Sequence, residues 1–448
     1  MPSIVALFQC LDPYLTATSI RQMSHIMPAM LAMTGRVTML GMSRWTDKGG
    51  SYRTVQRFFS TAIPWAWVFW LFFRHHLFNP DDVYLLAGDE VVVSKSGKKT
   101  HGLDRFFSSL YRKAIPGLSF FALSLLSTQE RRSYPIMVEQ RVRSRQEKAA
   151  AQARRKQAKK KSKTGKPGRP KGSRNKDKTQ VALTPELQLI QQMLLKLLLL
   201  VNGVIPIAYL VLDGHFGNNN ALQMTRQCGL HIISKLRHDA ALYFPYDGPY
   251  GGSGPHRKYG DKIDYHHLPT AYLKQVSVEA DMRTQIYHMT MLHPEFAQAL
   301  NVVIIVKTNL KTQARAHVVL FSSALELPDA QLIEYYALRF QIEFNFRDAK
   351  QYWGLEDFMN VKETAVTNAA NLSLFMVNLA HLLVRGFRQD TPHFGILDLK
   401  AHFRGRKYVL ETLKLLPQMP DPILLDHIFE TVAKIGSVHA LEPHLNSS

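Results

Sequence analysis

Two spacings of hydrophobic residues alternate along the chain, and they predict which segments are helical and which are extended. Residues 1–80 are predicted to be mostly helical. Beyond them the spacing shortens, and the β-branched residues of 83–97 predict a strand with Asp89 near its middle. The apolar runs 118–127 and 133–142 predict two further strands.

A helix over residues 184–203 has clear signals at both ends. Thr184 stands at the N-cap position, Pro185 at the first helical position, and Gly203 close to the C-cap. The apolar residues between them predict a helix that packs against the strands.

A buried strand over 205–217 follows, and its apolar run ends at a charged residue, Asp213. A helix over 219–228 and a strand over 230–237 continue the alternation. Residues 238–325 differ, because loops rich in Gly, Pro and Tyr separate several strand-like runs.

From about Pro328 the pattern is helical again, and most of 360–448 has the same character. The chain is therefore predicted to have an α/β fold. Its predicted regions are a helical N-terminal region (1–80), the first part of an α/β core (81–237), a β-rich insertion (238–325), the last core helix (326–360) and a helical C-terminal region (361–448).

Two apolar runs, 65–78 and 187–212, raise the question of a membrane span. The first is shorter than the ~20 residues a span needs, and polar residues interrupt the second. The chain begins without the basic region and cleavage site of a secretory signal, and its two cysteines, Cys10 and Cys228, allow no cysteine zinc site. We therefore expect a cytoplasmic protein without a membrane partner.

Positive charge is concentrated in one segment. The formal net charge is +21, and residues 141–178 hold 17 Lys and Arg against only Glu147 and Asp177. A basic insert over about 143–180 therefore interrupts the core and predicts a polyanionic partner, with nucleic acid favoured over a membrane.

Part of this insert, KPGRPKGSRNK (166–176), resembles an AT-hook. In such a hook Arg169, held extended by Pro167 and Pro170, would enter a narrow A·T minor groove. A loop that only keeps the protein soluble, or one that binds phosphates without sequence preference, explains the composition equally well.

A second possible DNA contact lies in the N-terminal region. Ser51 is a candidate N-cap of a helix on which Arg53 and Arg57 share one face. The pattern suits a DNA-contacting helix, and it suits an ordinary exposed helix nearly as well.

Acidic residues at two strand positions point to chemistry. Asp89 and Glu90 should face opposite sides of their strand, so that only one can face a site, and the small Ala87 and Gly88 leave room around Asp89. Asp213 ends a buried strand, where a charge needs a reason. It could also simply cap the next turn.

The segment YYALRFQIEFNFRDAK (335–350) supplies a third acid. If the segment is one helix, at ~100° per residue, five side chains lie within an arc of about 80° around the helix axis. Glu343 is the only acid among them. They are Tyr336, Arg339, Glu343, Arg347 and Lys350. An intrahelical salt bridge is the ordinary explanation, whereas a metal-binding carboxylate among phosphate-binding neighbours explains the whole stripe.

The spacing Tyr336-x2-Arg339-x3-Glu343-x6-Lys350 resembles the Tyr–Arg–Glu–Lys signature of the insertion-sequence-four family of DDE transposases. The element order over about 80–360 is similar to that family's ribonuclease-H-like core with its β-rich insertion. Asp89 and Asp213 look like its first and second aspartates.

The resemblance implies cut-and-paste transposition. Asp89, Asp213 and Glu343 would bind two Mg²⁺, for which Mn²⁺ may substitute, and these would serve cleavage at the transposon end and strand transfer to target DNA. A hairpin on the transposon end is one possible intermediate. Tyr336, Arg339 and Lys350 would hold phosphates beside the break.

The family's partners are double-stranded DNA, as terminal inverted repeats and as target, and a second copy of the chain. A homodimer is expected to form through 361–448, in the bacterial cytoplasm and on the nucleoid. Relatives carry a tryptophan after the signature arginine that stacks on a flipped base. Here Phe340 takes that place, beside Arg347 as a further DNA contact.

Two other functions remain compatible with the residues. One is a ribonuclease-H-like nuclease or resolvase that cleaves DNA without joining ends. The other is a noncatalytic DNA-binding protein descended from a transposase, although all three acids and all four signature residues are present.

Overall fold

A computed structural model gives the fold of the chain. It describes residues 4–439 except 48, 109–110, 150–152, 154–176, 251 and 253. Most of the basic insert, including Arg169 and the AT-hook-like sequence, therefore lies outside the described residues.

The longest strands lie in two parts of the chain, residues 84–140 and 273–322. They are β1 Tyr84–Ser94, β2 Asp104–Ser108, β3 Lys113–Ser127, β4 Arg132–Gln140, β5 Tyr209–Leu212, β6 His231–Leu236, β7 Tyr243–Pro245, β8 Tyr259–Lys262, β9 Leu273–Glu279, β10 Met282–Met291, β11 Leu300–Asn309 and β12 Arg315–Ser322.

Helices cluster at the two ends of the chain and between the strands. They are α1 Ile4–Leu7, α2 Ala17–Ala32, α3 Met39–Ser43, α4 Tyr52–Ser60, α5 Trp65–His76, α6 Pro185–Val201, α7 Asn219–Gln227, α8 Asp329–Leu338, α9 Gln341–Gln351, α10 Glu363–Phe387, α11 Ile396–Leu413 and α12 Pro422–Ala433.

One large mixed sheet forms the centre of the fold, with helices around it. Its strands lie in the order β2-β3-β1-β5-β6-β12-β11-β10-β9, and β4 pairs with the later part of β3. β1, β3 and β4 are antiparallel, whereas β5 and β6 run parallel to β1. The predicted mixed α/β class is confirmed.

The strands of the predicted β-rich insertion join the central sheet. Val319–Ser322 of β12 pair antiparallel with Ile233–Leu236 of β6, so β9–β12 extend the central sheet. Only β7 and β8 form a small sheet of their own among the described residues. The pairing arises because the free edge of β6 offers unpaired backbone groups, which the buried strand β12 satisfies.

The predicted single helix around the signature residues is wrong, because α8 and α9 are separate. Arg339 and Phe340 lie between them. Four backbone N–H groups around the break, from Arg339, Phe340, Ile342 and Glu343, donate to the carbonyl three residues earlier. Hydrogen bonds of this i−3 kind are typical of a 3₁₀ turn, which is wound more tightly than an α-helix. The side chains beyond Arg339 therefore do not lie on the face that a single α-helix predicts.

The N-terminal and C-terminal helices share one hydrophobic core with the sheet. Asn368 of α10 ties them together, because its Nδ2 donates to the carbonyls of Phe58 (3.2 Å), Phe59 (3.0 Å) and Thr61 (2.7 Å). Its Oδ1 accepts a hydrogen bond from Trp65 Nε1 at 2.8 Å. The predicted boundaries near 80, 237, 325 and 360 stay predictions.

One described helix, α10, is long and apolar enough to cross a membrane. However, 72% of its most apolar window is buried inside the protein, where it packs on β4, α5 and α9. The two runs considered from the sequence form α5, which is largely buried, and the α6–β5 segment. No membrane protein is indicated.

Candidate active site

Asp89 and Asp213 are neighbours because of the register of two parallel strands. Gly88 of β1 is registered with Leu212 of β5, and each aspartate is the next residue along its strand. Adjacent parallel strands lie about 4.8 Å apart and direct registered side chains to the same face. The two carboxylates therefore belong to one edge of the sheet.

The local contacts of Asp213 fix its position. It is the N-cap of a 3₁₀ turn, and its Oδ1 accepts a hydrogen bond from the N–H of His215 at 3.1 Å. Its carbonyl accepts one from Ser234 Oγ at 2.7 Å. The turn-capping role considered from the sequence is real, and it does not remove Asp213 from the pocket described below.

Arg339 connects the first strand to the helix α9. Its Nη1 lies 3.2 Å from Asp89 Oδ2 and its Nη2 lies 3.2 Å from Glu343 Oε1. The other oxygen of Asp89 accepts the N–H of Glu90 at 2.8 Å. One guanidinium thus holds two carboxylates that lie 254 residues apart in the sequence, the difference between 89 and 343.

The titration of Asp89 reflects this crowding. Burial raises its pKa to about 6, while the Arg339 guanidinium and the Glu90 N–H act in the opposite direction. The negative charges of Asp213 and Glu343 add to the increase. The three acids are therefore close enough to influence one another.

All three acids line one cavity of about 760 Å³, which we name the acidic pocket. Six of its lining residues are carboxylic acids. They are Asp89, Glu90, Glu186, Asp213, Glu343 and Glu356.

The expectation that only one of Asp89 and Glu90 can face the site is wrong. β5 pairs with β1 only through Leu86–Gly88, so from Asp89 onward that edge of β1 is open. The pocket extends around the open edge, and both faces of the strand border it.

A second ionic cluster lies across the pocket, and no sequence pattern predicts it. Arg141 Nη1 lies 3.1 Å from Glu186 Oε1 and 3.6 Å from Glu90 Oε1. His215 Nε2 lies 3.7 Å from Glu186 Oε2, and its pKa is raised because Glu186 is beside it. Glu186 is the only acid in the first turn of α6, a position that looks like ordinary helix capping.

The signature residues do not all reach the acidic pocket. Lys350 lines it, and its Nζ donates to the carbonyl of Val92 at 3.0 Å and pairs with Glu356 at 2.9 Å. Tyr336 instead borders an apolar cavity between α8 and the strands β11 and β12. It still lies near Arg339, whose guanidinium is 5.9 Å from the tyrosine ring centre.

Phe340 and Arg347 lie at the surface near the pocket. Phe340 is 49% exposed and meets Phe344 edge to face, with ring centres 5.2 Å apart. Arg347 lines the pocket, while its guanidinium is paired with Asp348 at 2.9 Å.

The N-terminal arginines lie elsewhere. Arg53 and Arg57 are exposed on α4, and neither lines the acidic pocket. Ser51 caps that helix as predicted, since its Oγ accepts the N–H of Thr54 at 3.4 Å. A DNA-binding role for these two residues stays a prediction.

The pocket offers the oxygen ligands that Mg²⁺ and Mn²⁺ prefer. In the described part of the chain, however, no three acidic, histidine or cysteine side chains converge closely enough to form a ready-made metal site. The Arg339 guanidinium lies between the carboxylates of Asp89 and Glu343 and supplies the positive charge there. The donor chemistry fits a divalent ion, provided that Arg339 moves away from the carboxylates.

Comparison with protein-family models yields a match over much of the chain. The family model described as DDE superfamily endonuclease matches residues 6–293, which is more than half of the chain. The matched range contains Asp89 and Asp213 and ends before Glu343. No curated protein matches the chain.

Proposed function

The chain belongs to the DDE superfamily endonucleases, and on that premise we propose that it is a transposase that cleaves DNA at transposon ends and joins them to target DNA. One observation carries the proposal. Asp89, Asp213 and Glu343, which come from two adjacent parallel strands and a helix, line a single pocket in the order that the sequence motif requires.

The sheet supports a ribonuclease-H-like core. The strand order β4-β3-β1-β5-β6, with the first three strands antiparallel and the last two parallel to β1, is the arrangement expected of that fold. The four-residue signature from Tyr336 to Lys350 supports the insertion-sequence-four family in particular.

The three acids would hold the two divalent metal ions. Bound Mg²⁺ or Mn²⁺ would supply a nucleophilic hydroxyl and neutralise the leaving oxygen. The protein's own part is to hold the carboxylates at one edge of the sheet and to keep Asp89 buried. In addition, Arg339 would balance their charge until DNA and metal arrive.

Cationic and aromatic side chains around the pocket would position the DNA. Lys350 and Arg347 line the pocket beside the acids, where they can contact phosphates. Phe340 is exposed enough to stack on an unpaired base. Arg339, once released from the carboxylates, would become a further phosphate contact.

A second copy of the chain would complete the assembly. The C-terminal helices present large apolar side chains to solvent, notably Ile423 (82% exposed) in α12 and Leu415 (85%) before it. Only Ala433 of α12 is buried. This unpaired apolar face supports the proposal that residues 361–448 form a homodimer interface.

Strand cleavage and joining of labelled terminal-repeat duplexes with Mg²⁺ test the function. Wild-type protein should release a 3′-hydroxyl end and join it to a target plasmid, whereas Asp213→Asn should lower cleavage by at least about 10³-fold. Glu334→Gln is a matched control, because Glu334 pairs with Arg131 and lies outside the pocket.

Each other outcome has a definite meaning. Cleavage without any joined product would indicate a nuclease or resolvase instead of a transposase. Unchanged cleavage in Asp213→Asn would show that the acidic pocket is not the catalytic site.

A further inference from the structure

A second cavity, of about 310 Å³, lies next to the acidic pocket. It forms where the start of β4, the end of α9, the C-terminus of α10 and the N-terminus of α11 meet. Arg347 lines both cavities, so the two are neighbours across α9. We name this second cavity the basic cavity, after Arg132, Arg347 and Arg388 in its lining.

Two of its arginines have unused hydrogen-bonding capacity. The guanidinium of Arg132 makes no hydrogen bond or ion pair with any residue that the structure describes. Arg388 donates from Nε to the carbonyl of Phe394 at 2.8 Å, and its terminal nitrogens have no partner in the described residues. Arg388 is exposed and Arg132 is half-buried, so both guanidinium groups can exchange solvent for an anion.

The carboxylates of the cavity make no hydrogen bond or ion pair with Arg132 or Arg388 in the described residues. Asp348 accepts both of its hydrogen bonds from Arg347. Asp398 is fully buried and accepts hydrogen bonds from the backbone N–H groups of Gly395, Val438 and His439. The Nδ1 atom of the His439 ring also lies 2.8 Å from its Oδ2. Both acids therefore accept their hydrogen bonds from groups other than Arg132 and Arg388, and the charge of Arg132 acts on Asp348 without a direct contact.

Neutral donors also border the space. The Nδ1 atom of His381 is buried and has no hydrogen-bond partner within the described ranges. Burial lowers the pKa of His381 well below its usual value, and the nearby charges of Arg132 and Arg388 lower it further, so the ring is neutral and donates through whichever nitrogen carries the proton. Ile396 and Leu397 add the free N–H groups of the first turn of α11.

We propose that the basic cavity binds one phosphate group of the DNA strand that enters the acidic pocket. Two guanidinium groups, a histidine ring and a helix N-terminus are the donor set that phosphate oxygens require. Because Arg347 borders both cavities, the phosphate would lie a short distance along the strand from the acids. This inference rests on the proposed function for the identity of the DNA, and the cavity itself does not depend on catalysis.

Arg132→Gln with Arg131→Gln as its matched control tests the site. Both changes remove one positive charge at adjacent positions. Arg131 has a side chain that is 59% exposed, pairs with Glu334 at 2.8 Å and does not line the cavity. Binding of a terminal-repeat duplex is measured by fluorescence anisotropy in EDTA, over a series of salt concentrations, so that no cleavage occurs.

Arg132→Gln should bind DNA about tenfold more weakly near 0.1 M salt, and the slope of log K against log salt should fall by about 0.9, as for one lost phosphate contact. Arg131→Gln should match wild type in both values. An unchanged slope in Arg132→Gln, or an equal loss in both variants, would overturn the proposal. Thermal unfolding of each variant confirms that it is folded at the assay temperature.

Inorganic phosphate distinguishes a DNA phosphate from a free anion. In protein with ¹⁵N-labelled histidine, phosphate should shift the ring signals of His381 in wild type and not in Arg132→Gln, because it enters the same cavity. If phosphate shifts His381 while DNA binding is unaffected by Arg132→Gln, the cavity serves a free anion and the DNA assignment is wrong.

These results are separable from the proposed function. A DNA-binding loss in Arg132→Gln, in a protein that never joins ends, would uphold the cavity and refute transposition. Efficient transposition with an unchanged salt slope would do the reverse.

Discussion

The guanidinium of Arg339 lies 3.2 Å from Oδ2 of Asp89, on a strand 250 residues earlier in the chain. The same group contacts Glu343, so a single cation balances two of the three acids in the pocket. In the proposed function a divalent ion and a DNA phosphate would have to replace these contacts. The ion pair therefore predicts a competition that can be measured.

Arg339→Ala should make the protein depend on metal for stability. Without the guanidinium, Asp89 and Glu343 lose their counter-ion, and the free energy of unfolding in EDTA should fall by about 2–4 kcal/mol. Millimolar Mg²⁺ should restore more of that loss in the variant than it adds to wild type, because the ion no longer competes with Arg339. Urea unfolding with and without Mg²⁺ provides the measurement.

Arg347→Ala serves as the comparison for that experiment. Arg347 also lines the pocket, but its partner is Asp348, outside the three acids. Its response to Mg²⁺ should equal that of wild type. An equal Mg²⁺ effect in wild type and in Arg339→Ala would contradict the competition.

The raised pKa of Asp89 predicts a pH dependence of stability. Its folded-state pKa is about 6 against an ordinary value of 3.8, so between those values the folded state binds more protons than the unfolded state. Stability from this group is therefore present at low pH and is lost as the pH rises through 6. Because asparagine does not titrate, the variant Asp89→Asn should not lose stability in this way as the pH rises.

In EDTA, the free energy of unfolding of Asp89→Asn relative to wild type should rise by about 2–3 kcal/mol between pH 4 and pH 6.5, then stay level. Urea unfolding over that pH range measures it. A difference that stays constant with pH would show that Asp89 titrates normally.

Gly217 tests how closely the turn after Asp213 must approach β6. A Cβ at Gly217 would lie 2.2 Å from the backbone carbonyl oxygen of Lys235, which has no freedom to move away. Gly217→Ala should therefore displace the turn, lower stability by about 1–3 kcal/mol and reduce cleavage.

Gly214→Ala is the control within the same turn. A Cβ there would meet the flexible end of the Lys235 side chain at 3.0 Å, and the nearest backbone atom is 3.5 Å away. We expect little change in melting temperature or in cleavage. Comparable losses in the two variants would show that the backbone approach at Gly217 is unimportant.

Phe340 should contribute to binding of unpaired DNA and little to folding. Because its side chain is 49% exposed, Phe340→Ala should keep the wild-type melting temperature. Loss of one stacked base should weaken binding of an end with an unpaired base by about 1–3 kcal/mol, and Phe340→Trp should strengthen it. The fluorescence of 2-aminopurine at the unpaired position measures stacking directly.

Met359→Ala removes another exposed apolar side chain, 75% accessible and outside the acidic pocket, and should leave that fluorescence unchanged. If Phe340→Ala and wild type quench the probe equally, Phe340 does not stack on the base.

Much of the sheet and three acids of the pocket, Asp89, Asp213 and Glu343, could be predicted from sequence. The period of two in a strand, a charged residue at a strand end and a motif of fixed spacing are all local signals. The parallel direction that makes Asp89 and Asp213 neighbours is consistent with the helix that connects β4 to β5, because β4 itself runs in the direction of β1. The strand β2 cannot be predicted in this way, because its five residues have no clear alternation of apolar and polar side chains.

Other features depend on contacts between distant segments. The break at Arg339 and Phe340 could not be predicted from helix propensity. Both residues keep helical backbone angles, and only the hydrogen bonding changes between the two helices. The cluster of Arg141, Glu186 and Glu90 joins three elements through side chains alone, and no local pattern identifies such partners.

The amide of Asn368 also has a consequence for how the chain is made. The carbonyls that it satisfies, and the indole of Trp65, lie about 300 residues ahead of it in the order of synthesis. At roughly 5–20 residues per second, the N-terminal helices wait on the order of 15–60 s before α10 leaves the ribosome and covers them. During that interval the apolar helix Trp65–His76 can pack on β4, but the part of its surface that α10 covers stays exposed to solvent.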